Sequence, residues 1–169
     1  MYEDYFNYIM ALGAGFMFLI GVFSLIGVVA HIVYAIFVGN ALNKIGYKNW
    51  WFVWIPFLRQ YAIADIVKGE DGLVDVSGFR FEEKLYKFYW LVPIMIASFN
   101  FIIPVGAILG LVINSVCGAI CYKKLYSYFE TVNESDVLTQ IILYTSGLFP
   151  IVPLIKCIML SGKDPIETI

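Results

Sequence analysis

Hydrophobic positions along this chain fall into four long blocks separated by short polar stretches. The first runs from Ile9 to Gly39 with His31 as its single ionisable group. A hydrocarbon layer of about 30 Å needs about 20 helical residues, so this block predicts a membrane-spanning helix. It opens next to Glu3 and Asp4 instead of a basic stretch, and it is too long for a cleaved leader, which predicts retention. Lys44 and Lys48 follow with no acid between Asn40 and Asn49, the flank expected on the cytoplasmic side.

The second block, 50–67, begins with Trp50, Trp51 and Trp54, suited to headgroup level, and then meets Pro56, Arg59, Gln60 and Asp65. A charge near the bilayer centre costs about 2.5–3.5 kcal/mol, so this segment either faces protein or water, or does not fully cross. The third block, 88–122, would make a helix of about 51 Å and must break, with Pro104 as the natural site. A kinked, tilted single helix is the alternative. The fourth, 137–160, is interrupted by Gly147, Pro150 and Pro153.

One connector, Lys68 to Lys87, is strongly polar, yet Val74, Val76, Phe79 and Phe81 nearly alternate around Ser77-Gly78, the pattern of a small hairpin over 73–82. Its side of the membrane depends on the second block: outside if 50–67 crosses, cytoplasmic if that segment is interfacial. The expected fold is an all-α membrane protein. It is a single domain over 1–169 and a compact bundle of about four hydrophobic segments, several of them kinked or re-entrant at proline.

Composition supports that medium. Of 169 residues, 61% are hydrophobic and 14% charged, against about 25% charged in soluble domains. A net charge of −2 leaves no clustered basic surface, which excludes nucleic acid as a partner.

Chemistry is sparse. Gly106, Gly110, Asn114 and Gly118 recur every four residues and share one helix face, where small residues let another helix approach. This predicts a packing surface at Gly106, Gly110 and Gly118; a polar lining is the other reading. The polar intramembrane candidates are His31, Arg59, Gln60, Asp65, Asn100, Asn114 and Lys156, because ionisable and amide groups at membrane depth need partners or a purpose. Arg59 and Asp65, six residues apart, point in different directions on a helix and each needs another partner. One option is a buried Asp65–Lys156 pair; the other leaves Arg59 and Lys156 reaching to the interface.

Cys117, Cys121 and Cys157, with one histidine in the chain, do not form a metal-ligand set, and no cofactor is expected. The stretch Glu82-Glu83-Lys84-Leu85-Tyr86-Lys87 resembles the paired-glutamate motif of intramembrane prenyl-type proteases, but Lys87 stands where that motif has arginine, and the further histidines are missing. No other catalytic motif is present, so an enzyme is not expected.

The stretch ALNKIGYKNWWFVWIPFLRQYAIADI, residues 41–66, resembles a pattern in small uncharacterised polytopic bacterial membrane proteins. The matching positions are Lys44, Gly46, Lys48, Asn49, Trp50, Trp51, Ile55 and Pro56, and the similarity extends loosely to the later proline-broken blocks. Arg59 and Gln60 stand where relatives often have asparagine. The resemblance implies a multi-pass protein of the bacterial cytoplasmic membrane and a compact helical bundle, with no activity attached. The expected function is a non-enzymatic partner in a membrane assembly, within a homo-oligomer or beside another membrane protein. The alternative is a small transporter or channel whose polar site lies at the proline breaks near Pro56, Pro104 and Pro150.

Overall fold

The computed structural model describes residues 2–56, 58–99 and 103–169. The chain divides into two units, 1–33 and 34–169, where the hydrophobicity pattern predicts one domain. Helix α1, Tyr2–Lys44, runs through both. In the first unit it is helix alone, and from Ile9 to Val29 its side chains are exposed. Its length and apolar character make it a candidate membrane span, and its backbone bonds are satisfied internally, as hydrocarbon would require.

The second unit begins where α1 acquires a buried face. Tyr34, Ala35, Val38, Ala41, Leu42 and Ile45 are all buried and recur at intervals of three and four, one stripe of the helix. Gly46, at φ 84°, turns the chain out of α1 in a conformation that side chains with a Cβ seldom adopt. No crossing helix follows. Residues Trp50–Trp54 form a single 3-10 turn, and α2 covers only Leu58–Asp65, about 12 Å long. Pro56 stands between the two, and of the polar side chains of α2, Asp65 pairs with Lys87 and Tyr47 while Gln60 accepts from Tyr89.

The connector folds as read from its alternation. β1, Leu73–Val76, pairs antiparallel with β2, Phe79–Glu82, placing Val74 opposite Phe81 and Val76 opposite Phe79. Ser77 and Gly78 both have positive φ, the two-residue turn whose twist matches a hairpin, and Asp75 Oδ1 accepts from the Gly78 amide at 2.8 Å. A one-turn helix α3, Glu83–Tyr86, leads into α4, Leu91–Phe99. Helix α5, Ile103–Ser127, follows after three residues, with Pro104 in its first turn, where a missing amide costs nothing. The break expected near Pro104 falls beside residues 100–102, which lie outside the described residues.

Helix α6, Val137–Leu148, is capped by Asp136, whose carboxylate accepts from the Thr139 amide at 2.9 Å. Pro150 separates it from α7, Ile151–Leu160, while Pro153 lies within the first turn of α7 and does not break it. Two described helices are long and apolar enough to cross a membrane, Tyr8–Lys44 and Ile108–Ser127; α6 and α7 are apolar but shorter. Of the four hydrophobic blocks, two thus supply candidate spans. The core of the second unit gathers the α1 stripe, Ala62 to Ala64 of α2, Cys117, Cys121 and Leu125 of α5, and Leu154, Cys157 and Leu160 of α7.

Residues 161–169 tie these ends together. The Lys44 ammonium donates to the carbonyls of Ser161 and Lys163 at 2.8 and 3.0 Å, satisfying acceptors just past α7. The Ile166 amide donates to the Tyr128 carbonyl, and the Ile169 amide to the Ile45 carbonyl.

Candidate functional site

The polar side chains of the second unit settle into separate small groups. On α2, Asp65 Oδ1 meets the Lys87 ammonium at 2.5 Å, and Oδ2 accepts from the Tyr47 hydroxyl at 2.7 Å. Glu83, one turn before Lys87, lies 3.7 Å from the same ammonium. Both members of the main pair are about four-fifths covered, so the contact is shielded from solvent without being sealed. The hydrogen bond to Asp65 holds the Lys87 ammonium above its ordinary range. Burial, and then the same carboxylate, push the Tyr47 phenol up.

Arg59, one residue into α2, lies over the Tyr34 ring at 5.1 Å, and its buried Nε has no hydrogen-bond partner among the described residues. Gln60 accepts from Tyr89 at 3.5 Å, the outer limit of a hydrogen bond.

A second group lies at the far end of α5. Glu130 takes Lys156 of α7 at 2.5 Å and Lys163 at 2.9 Å. The Asp65–Lys156 pairing considered from sequence is therefore overturned: Lys87 takes Asp65, and Glu130 takes Lys156. Burial raises the Glu130 carboxyl, but the bonds from Lys156 and Lys163 outweigh it and hold the group below its usual range. On acidification the unfolded chain takes up that proton first. The stabilisation is complete above about pH 4.5 and fades as pH falls through the lower folded value. Melting temperature in detergent, followed from about pH 6 to about pH 3, is expected to fall less steeply in Glu130→Gln than in the parent protein.

Tyrosines link these regions. The Tyr34 and Tyr122 hydroxyls meet at 2.6 Å, and the Tyr122 ring stacks on Tyr126. Ser146 gives its one hydroxyl proton to the Ile142 carbonyl, so Tyr126 must donate to Ser146 across 3.0 Å. By the same count, Tyr86 donates to the Cys117 carbonyl at 2.7 Å, leaving the Cys121 thiol to donate to Tyr86 at 3.3 Å. All three cysteines are buried and free of disulfides. Among the described residues, no three His, Cys, Asp or Glu side chains gather as metal ligands.

The glycine stripe of α5 meets two different neighbours. A Cβ on Gly110 would stand 3.0 Å from Pro93 of α4, and one on Gly118 would stand 2.5 Å from the Gly147 Cα of α6. A Cβ on Gly147 would in turn overlap the Asn114 carbonyl. Gly106 is buried. Asn114 is half-buried on this face, His31 lies partly exposed in the first unit, and Asn100 falls outside the described residues.

The chain matches no family model, no curated protein and no solved structure. Its chemistry therefore has to be read from the groups above. Two surface clefts, of about 200 and about 220 Å³, are lined by Glu130, Asp136 and Lys156 in one case and by Asp75, Lys123 and Glu134 in the other. Both fall short of the roughly 300 Å³ at which small-molecule sites begin. Sequence reading passed over Gly147, taken only as a helix interrupter, along with Tyr86, Tyr126 and Ser146. The signal for Gly147 is its place at the end of a helix whose neighbour carries glycines at four-residue spacing.

Proposed function

We propose that this is a non-enzymatic integral protein of the bacterial cytoplasmic membrane that serves as a partner within a membrane assembly, with itself or with another membrane protein. What carries the reading is where polar and apolar groups are spent. Among the described residues, Arg59, Gln60, Asp65 and Lys156 engage separate neighbours, which weighs against a transport pathway. Apolar helix surface, by contrast, is left in excess. Ile151, Ile155, Ile158 and Met159 repeat along one face of α7, and Leu138 and Ile141 are exposed on α6. Contiguous exposed apolar surface of this kind marks contact with lipid or protein. Lys44 and Lys48 favour a cytoplasmic position for the end of α1.

Native mass spectrometry after extraction in mild detergent tests the proposal. A defined complex is expected, homomeric or with a second membrane protein, and Ile155→Asp combined with Ile158→Asp is expected to dissociate it. A lone monomer under the mildest extraction overturns the reading.

A further inference from the structure

The level at which each element meets α5 constrains how the second unit can sit in a bilayer. Tyr86 contacts α5 at Cys117 and Cys121, and Pro93 contacts it at Gly110. The chain therefore descends alongside α5 from Tyr86 into α4, which runs antiparallel to α5. The hairpin lies at the upper level too, since Asp75 and Ser77 share a cleft with Val116, Ala119 and Lys123.

Suppose α5 crossed the membrane along Ile108–Ser127, about 29 Å. Cys117 and Cys121 would then lie near the bilayer centre. The Asp65–Lys87–Glu83 group, the exposed Arg80 and Glu82 of β2, and both open edges of a two-stranded sheet would lie there with them. Lipid-exposed sheet edges are not tolerated in hydrocarbon, and each charge adds several kcal/mol at roughly 3 kcal/mol apiece. The water boundary must instead lie below the hairpin.

Asn114 is the first strongly polar residue met on ascending α5 among those described, and no charge occurs between Lys87 and Lys123. From Ile103 to Asn114 is about 16 Å, half a hydrocarbon core. Among the described side chains of that stretch, Ile108, Leu109, Leu111 and Val112 are exposed, joined by Ile94 and Met95 on α4. At the proposed boundary sits a row of aromatic rings suited to headgroup depth: Phe88 against Tyr61 at 5.6 Å, Tyr61 against Phe52 at 6.1 Å, and Phe52 against Trp51 at 4.6 Å.

We propose that α4 and the first half of α5 form a re-entrant insertion whose partner is the acyl-chain layer of a single leaflet, so that the 68–87 connector and the loop after α5 lie on the same side of the membrane. This goes beyond the assembly reading and does not depend on it. The test is labelling by a membrane-impermeant maleimide in right-side-out and inverted vesicles. Arg80→Cys, on the hairpin, and Thr131→Cys, after α5, are the probes, with the parent protein setting the background from its buried cysteines. Both are expected to label from one and the same face, and Leu111→Cys from neither face until detergent is added. Labelling of Arg80→Cys and Thr131→Cys from opposite faces overturns the proposal, as does Leu111→Cys labelling as readily as Arg80→Cys in intact vesicles. If Leu111→Cys does not accumulate, the two surface probes decide the matter alone.

Discussion

Gly147→Ala is expected to lower stability by about 3 kcal/mol or more, at or above the top of the range usual for overpacking. The added methyl would overlap the Asn114 carbonyl and lie 2.9 Å from that of Ser115, and backbone, unlike a flexible side chain, cannot swing aside. The only relief is to move α6 off α5, which breaks the Tyr126–Ser146 hydrogen bond and the bond from Ser115 Oγ to the Tyr144 carbonyl. Gly118→Ala, pressing on the Gly147 Cα, is expected to act through the same separation. The double substitution should therefore cost less than the sum of the singles. Gly21→Ala and Gly27→Ala provide the contrast, because nothing lies within 4 Å of either position. Both should hold or slightly raise stability through helix propensity. Thermal unfolding in mild detergent, read by tryptophan fluorescence, checks all five variants. A Gly147→Ala protein that melts with its parent would show that the two helices do not touch there.

The next largest effect is expected at Asp65. Asp65→Ala removes the acceptor for the Tyr47 hydroxyl and leaves the Lys87 ammonium, four-fifths covered, with Glu83 at 3.7 Å as its remaining acid among the described residues. Breaking one side of a fully buried pair costs about 3–5 kcal/mol; partial exposure here reduces the expected loss to about 2–3 kcal/mol. Exchanging the charges, with Asp65→Lys and Lys87→Asp together, should recover part of what each single change loses. Asp65→Lys with Lys156→Asp should recover nothing, because Lys156 belongs to Glu130. Rescue by the second exchange and not the first would reverse the assignment.

What could be read from the chain and what could not divides along a physical line. The hairpin is legible because its turn chemistry is local: Ser77-Gly78 supplies the two positive φ angles, and alternation on either side fixes the register. The break near Pro150 is legible for the same reason, whereas Pro104 lies in the first turn of α5. Gly118 stands out because four-residue spacing defines a helix face. Periodicity, however, names a face and never what lies across it. Lys87, counted among the charges of a solvated connector, becomes the partner of Asp65 only when α3 brings it beside α2. Tyr34, Tyr86, Tyr122 and Tyr126 enter a hydrophobicity profile as bulk, while their role here rests on hydroxyl groups that such a profile does not weigh. The length of α5 suggests a crossing; the charges held beside Cys117 and Cys121 come from outside that helix and argue otherwise.

The clasp between Lys44 and the carbonyls of Ser161 and Lys163 joins positions 117 and 119 residues apart. A ribosome delivers its product from the amino end, so Lys44 leaves the exit tunnel long before its acceptors exist. While synthesis continues, that ammonium must remain hydrated, and the second unit stays ajar. Stalled nascent chains that stop short of Ser161 should thus be cut readily by protease around Tyr47 and Tyr128, whereas chains released beyond Ile169 should resist. Maturation of the second unit is in that sense timed by residues 161–169, which leave the ribosome after every other part of it.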